Sequence, residues 1–194
     1  MVGAYNGLHV LKRKKNLWTH NRKLTGFDIS SRFFEITSDT SALVSHGYKG
    51  VFSLKIDKEL TQIQQTTILP LENGPSSLSK MSGNTYYFNR DGFYQYNNKE
   101  NKFDLNARIT TILKEDTFTA CKMESINDNQ LFLFGEEYIY KIEKNIFSEE
   151  LEVSRYFIGE LIREDVLGFE NITMLSESNY LIGSREGYLI TNFS

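Results

Sequence analysis

One pattern recurs five times along the chain: an apolar strand, a short turn and a second strand that alternates between apolar and polar residues. It occupies residues 1–12, 42–56, 84–97, 130–142 and 179–191. Four copies place a glycine where the second strand begins, and the remaining copy has Tyr138 there. Successive anchor residues, at positions 7, 50, 92, 138 and 187, are 43, 42, 46 and 49 residues apart. This spacing is typical of four-stranded propeller blades, so the repeat predicts an all-β β-propeller of about four to five blades.

Each hairpin is expected to form the two middle strands of a blade. Inner strands are predicted at residues 33–36, 77–80, 119–126 and 172–175, and outer strands at 17–19, 63–69, 108–113 and 151–157. Residues 158–166 are predicted to be a loop between blades, with a helix as the alternative. By this count the chain begins in the middle of a blade and stops after a third strand. Residues 1–194 then form a single propeller segment, which either closes as a five-bladed ring or, as we expect, belongs to a longer propeller.

Glycine explains most of the predicted turns. Gly7, Gly92 and Gly187 each follow a polar residue at the end of a turn, where a positive φ is expected and glycine adopts it without strain. The copy with Tyr138 has two explanations that the sequence leaves open: its turn uses Gly135, or it is locally strained.

Composition excludes several classes of function. Eleven Tyr and fourteen Phe favour strands, and a net charge of −3 indicates no binding of nucleic acid. The basic run Lys12–Lys15, followed by Arg22 and Lys23, is predicted to be a solvated connection, although contact with an anionic partner stays open. A single cysteine permits no internal disulfide. No segment is apolar enough to span a membrane, and the N-terminus does not have the pattern of a signal peptide.

The residues that carry most catalytic chemistry are absent or badly spaced. His9, His20 and His46 have no metal-ligand spacing, and Cys121 lies in a predicted inner strand, where a buried, inert thiol is expected. The acidic doublets 136–137, 149–150 and 164–165 point to opposite faces of a strand, so no doublet makes a facing acid and base. We therefore expect no enzyme activity, no metal and no cofactor.

Propeller geometry places the candidate binding residues at the hairpin tips and in the first loop between blades. The tips offer aromatic and cationic side chains, which suit a sugar or an acidic ligand through ring stacking and charged hydrogen bonds. The tip residues are Tyr5, Tyr48, Lys49, Arg90 and Arg185, and the loop residues are His20 and Arg22.

The hairpins resemble the propeller repeats of periplasmic sensors in bacterial two-component regulators. These are hybrid histidine kinases and LuxR-type regulators with a three-Tyr domain, best represented in Bacteroidetes. The residues that carry the resemblance are Leu181–Ser184 with Gly187, and Val2–Ala4 with Asn6-Gly7-Leu8. The segment His46–Ile56 is similar to the LuxR-type members, whereas the tryptophan of the family's strand is replaced by Leu181 or Tyr87.

The resemblance implies a periplasmic, non-catalytic sensor segment for an extracellular nutrient such as a glycan. It supplies no ligand-contacting residue. The expected partner is a small molecule or an oligosaccharide, and a homodimer stays open. Two other functions are also left open: a protein-interaction scaffold, and a propeller glycosidase or lyase.

Overall fold

The structure is a computed structural model that describes residues 1–145, 147–158, 168–184 and 187–193. Within these ranges the chain forms five antiparallel sheets, which we number blades one to five in chain order. Each blade is a meander, because strands that follow one another in sequence are also neighbours in the sheet. The predicted all-β class with propeller blades is confirmed.

The strands are named in chain order. Blade one contains β1 (Val2–Ala4), β2 (Gly7–Lys14) and β3 (Leu17–Lys23). Blade two contains β4 (Phe33–Ser38), β5 (Ser41–His46), β6 (Gly50–Ile56) and β7 (Ile63–Leu69). Blade three contains β8 (Ser76–Met81), β9 (Asn84–Asn89), β10 (Gly92–Asn97) and β11 (Lys102–Leu105). Blade four contains β12 (Met123–Asn127), β13 (Gln130–Phe134), β14 (Tyr138–Lys144) and β15 (Leu151–Phe157). Blade five contains β16 (Ile172–Met174), β17 (Asn179–Ser184) and β18 (Gly187–Asn192).

Two predicted strands differ from the structure. The predicted outer strand at 108–113 is wrong, because this segment is the helix α1 (Ala107–Leu113) and the outer strand of blade three is β11. Asn106 caps the helix by accepting a hydrogen bond from the backbone N–H of Ile109, and Ile109 and Leu113 bury one helical face at i, i+4 spacing. The inner strand predicted from residue 119 begins only at Met123, because Cys121 has a left-handed φ of 47°.

The described residues divide into two compact units. The first comprises Met1–Gly74 with Tyr96–Phe103, and the second Pro75–Gln95 with Asp104–Ser194. In the first unit, blades one and two share one apolar cluster, which includes Leu8, Leu24 and Phe52. Backbone hydrogen bonds also join these blades, from Thr25 N to Thr61 O and from Ile63 N to Thr25 O. The prediction of a single propeller segment over residues 1–194 stays a prediction.

In the second unit, the first strands of blades three, four and five contact one another in order. One apolar cluster fills the space between blades three and four, with Phe88, Leu133 and Tyr140 among its buried members. Another fills the space between blades four and five around Phe132 and Tyr180. These contacts are face-to-face packing of consecutive sheets, which gives each blade a core that it shares with its neighbours.

The turn glycines serve two different purposes. Gly7 has a φ of 117°, as predicted, but Gly92 does not have a positive φ, so that prediction is wrong. Gly92 is required instead because a Cβ there would lie 2.7 Å from Thr110 Oγ1.

The predicted connection at 158–166 lies, apart from Ile158, outside the described residues.

Candidate functional site

A pocket of about 280 Å³ lies in the second unit at the turn between β9 and β10. One wall is this turn, and the other is the end of α1 with the segment that leads to blade four. The lining residues are Phe88, Asn89, Arg90, Asp91, Gly92, Thr110, Leu113, Lys114, Asp116, Thr117, Phe118 and Thr119. The pocket combines apolar, cationic and anionic groups.

Asn89 determines the shape of the turn wall. Its Oδ1 accepts hydrogen bonds from the backbone N–H groups of Asp91 and Gly92, at 3.0 and 3.1 Å. Its Nδ2 donates to Asp91 Oδ2 at 3.2 Å. The amide thus closes a side-chain turn over the two following residues, and it leaves Arg90 exposed at the apex.

Thr110 fastens α1 against this turn. Its Oγ1 accepts a hydrogen bond from Phe93 N at 3.1 Å, while the missing side chain at Gly92 lets the threonine approach. The helix therefore holds the following residues, including Lys114, beside the turn.

Asp116 ties the second wall to blade four. Its Oδ1 accepts from Thr117 N at 2.7 Å and its Oδ2 from Tyr138 N at 3.3 Å. Gly135 makes room for it, because a Cβ at Gly135 would lie 2.0 Å from Asp116 Oδ2. Gly135 has no positive φ and Tyr138 no left-handed φ. The turn of blade four therefore depends on Gly135 for space, and Tyr138 shows no backbone strain.

In the part of the chain that the structure describes, the acidic side chains of the pocket form hydrogen bonds within the protein, and the basic side chains do not. Asp91 and Asp116 accept hydrogen bonds from the residues that build the walls. Arg90 and Lys114 are exposed, and within the described ranges neither forms an ion pair or a side-chain hydrogen bond. Two cationic donors are thus available to a ligand.

Aromatic rings form the floor of the pocket. Phe88 meets Phe118 edge to face, with centroids 4.9 Å apart, and Phe118 lies 5.5 Å from Tyr140. Burial, with a smaller contribution from the charge of Asp116, raises the pKa of Tyr140 to about 12. Burial also raises the pKa of Cys121 to about 12, which keeps that thiol protonated and unreactive near neutral pH.

Of the predicted binding residues that the structure describes, only Arg90 lines this pocket. Tyr5 and Tyr48 are 94% and 90% exposed at the tips of blades one and two, and Lys49 is exposed beside Tyr48. Arg185 lies outside the described residues.

His20 and Arg22 were predicted to lie in a loop between blades, but the structure places both in strand β3. The strand extends to Lys23 because β2 continues to pair with it, across a bulge at Val10 and Leu11. His20 Nε2 lies 3.0 Å from His9 Nδ1, and His9 Nε2 lies 2.9 Å from Asn6 Oδ1. No group of three or more His, Cys, Asp or Glu side chains with metal-binding geometry occurs in the described part of the chain.

Sequence reasoning missed Lys114, Asp116, Thr117 and Thr119. One signal for them was present: Asn106 followed by apolar residues at 109, 112 and 113 has the cap and the spacing of a helix. A helix there would have directed attention to the residues at its end.

Across the described residues, the structure contains no helix with the length and apolar character needed to cross a membrane.

Several solved structures are similar to this chain in fold. No family model matches the chain, and no curated protein matches it. The fold is similar to the crystal structure of the extracellular domain of BT3049 from B. thetaiotaomicron, a protein classified as a hybrid two-component system. The TM-score is 0.59 at 16% identity, and the match covers 98% of this chain. The chain spans about a quarter of that protein chain, 24%, and the likeness establishes the fold alone.

Proposed function

We propose that this chain is a non-catalytic, ligand-sensing segment of a two-component-type regulator, located in the periplasm. Two observations support the proposal: the repeats resemble those of periplasmic sensors, and the fold is similar to the extracellular domain of a protein classified as a hybrid two-component system. The pocket at the turn between β9 and β10 is the proposed binding site.

The two basic side chains of the pocket, Arg90 and Lys114, are the observation that favours an acidic ligand. Arg90 and Lys114 line the pocket without a carboxylate partner among the described residues, whereas both aspartates are engaged in wall contacts. A carboxylate or sulfate on a sugar would accept charged hydrogen bonds from these side chains. The proposed ligand is therefore an oligosaccharide that carries an acidic group.

A thermal-shift screen tests this proposal. We expect uronate-bearing oligosaccharides to raise the unfolding midpoint, because a ligand that binds only the native state stabilises it, and neutral oligosaccharides to raise it less. Arg90→Ala and Lys114→Ala should each weaken binding by about tenfold or more, since a charged hydrogen bond contributes roughly 1.5–3 kcal/mol. Lys49→Ala is the matched control, because Lys49 is also an exposed cation at a hairpin tip.

Two results would contradict the proposal. One is an unchanged midpoint with every oligosaccharide tested. The other is an equal response of Arg90→Ala, Lys49→Ala and the wild-type chain, which would place binding elsewhere.

A protein-interaction scaffold is the second candidate. The nearly complete exposure of Tyr5 and Tyr48 favours it, because exposed tyrosines at turns are common in protein interfaces. It predicts that the immobilised wild-type chain captures a partner protein, that Tyr5→Ser with Tyr48→Ser abolishes capture, and that oligosaccharides leave the midpoint unchanged.

A further inference from the structure

The far end of the hairpin of β2 and β3 is exposed on both faces. Every residue from 12 to 22 is exposed, and we call this segment the basic arm. Leu17 and Trp18 within it are 73% and 65% exposed. Lys14 pairs with Leu17 and Arg13 with Trp18, so each face carries an apolar side chain next to a cation. A two-stranded ribbon with neither face covered gains little stability from packing, so a partner that covers the arm would bury its apolar side chains.

Charge is segregated along the chain. Residues 1–23 contain six Lys or Arg and no Asp or Glu, whereas residues 24–103 contain eight of each. Residues 104–194 contain eight Lys or Arg against 17 Asp or Glu. The net charges of the three segments are therefore +6, 0 and −9. The anionic counterpart of the arm is present in the same sequence, at its opposite end.

The turn between β14 and β15 has the matching surface chemistry. Phe147 is 97% exposed there, and Glu149 and Glu150 beside it are exposed. Glu149 is 3.6 Å from Lys144, and its side chain remains 80% exposed. We call residues 147–150 the acidic turn. It presents an aromatic ring beside carboxylates, as the basic arm presents an aromatic ring beside cations.

We propose that two copies of this chain associate through contact between the basic arm of one copy and the acidic turn of the other. Trp18 and Phe147 supply the apolar contact, and the flanking lysines and glutamates supply charge pairing and orientation. Each copy has both surfaces, so the arm of either copy has an acidic turn to bind on the other. A lipid surface fits the arm less well, because Leu17 and Trp18 lie on opposite faces and leave no continuous apolar face to insert.

Sedimentation velocity on the wild-type chain, over a range of concentrations, tests the proposal. We expect a dimer in about 50 mM salt and a dissociation constant at least about tenfold weaker in about 500 mM salt, because added ions screen exposed charges. The variants Lys14→Glu/Lys15→Glu and Glu149→Lys/Glu150→Lys should each sediment as monomers at concentrations where the wild type is dimeric. An equimolar mixture of these two variants should recover a dimer, since the reversed arm then faces a reversed turn.

The variant Lys58→Glu/Lys99→Glu is the control, because it makes the same charge change at two exposed lysines outside both surfaces. The proposal is overturned if the wild type stays monomeric, if the control dissociates as readily as the arm variant, or if the mixture recovers no dimer. Cosedimentation of a monomeric wild type with phosphatidylglycerol vesicles would overturn it in favour of a lipid partner.

Discussion

At the turn between β13 and β14, the missing side chain of Gly135 lets a carboxylate from another segment complete the turn. Asp116 reaches into this space and accepts the backbone N–H of Tyr138, while Gly135 N donates to Tyr138 O at 2.9 Å. This turn shows that a turn glycine can be needed for close approach and not for a positive φ.

Gly135→Ala is expected to destabilise the chain by about 2–3 kcal/mol, because the new methyl group must displace the Asp116 carboxylate or the backbone. Urea unfolding followed by fluorescence measures the change. Removing the obstructing carboxylate should relieve part of it, so the Gly135→Ala/Asp116→Ala double variant should be more stable than the sum of the single changes predicts. Additive effects would show that the two residues do not compete for this space.

Among the elements, α1 contributes most to the pocket, because it supplies the second wall. It follows β11 and brings Thr110 and Lys114 to the turn between β9 and β10. A strand at the same residues would have continued the sheet and left no second wall for the pocket.

Asn106→Ala is expected to cost about 1 kcal/mol, the usual effect of losing a helix N-cap, because the N–H of Ile109 loses its acceptor at 3.0 Å. The free energy of unfolding measures it, with Asn98→Ala in an exposed turn as the control. The same variant should also weaken oligosaccharide binding, because the helix positions Lys114. Equal stability of the two variants would show that the cap contributes nothing to the fold.

The hairpins could be predicted from the sequence because both strands and their turn are contiguous, and the alternation of residues such as those in β6 is a local signal. The outer strand of blade three could not be placed, since the four-residue β11 is too short to show alternation. The pocket could not be predicted beyond Arg90. Its walls are separated in sequence and meet only because Thr110 packs on Gly92.

Within the residues that the structure describes, consecutive blades of each unit share their cores. In the second unit, side chains of blade four belong both to the cluster shared with blade three and to the cluster shared with blade five. Successive residues of one strand face opposite clusters, as Phe132 and Leu133 do on β13. We therefore expect these blades to unfold together.

Leu133→Ala is expected to cost about 2–5 kcal/mol, the range for a fully buried leucine, and Leu175→Ala, at an exposed position, much less. Hydrogen exchange measured on both variants distinguishes shared from separate cores. Faster exchange in β9 as well as β13 is expected for Leu133→Ala, whereas acceleration confined to blade four would contradict the shared core.

The turn of blade four depends on Asp116, which precedes the blade in sequence. This limits which segment could be moved into another propeller. Glu136 N also donates to Thr117 O at 2.9 Å, so two bonds of the turn originate before the first strand of the blade. A graft beginning at Met123 would carry the sheet without the groups that close its hairpin. A transplanted blade four that keeps these two bonds therefore has to start no later than Asp116, ahead of its first strand.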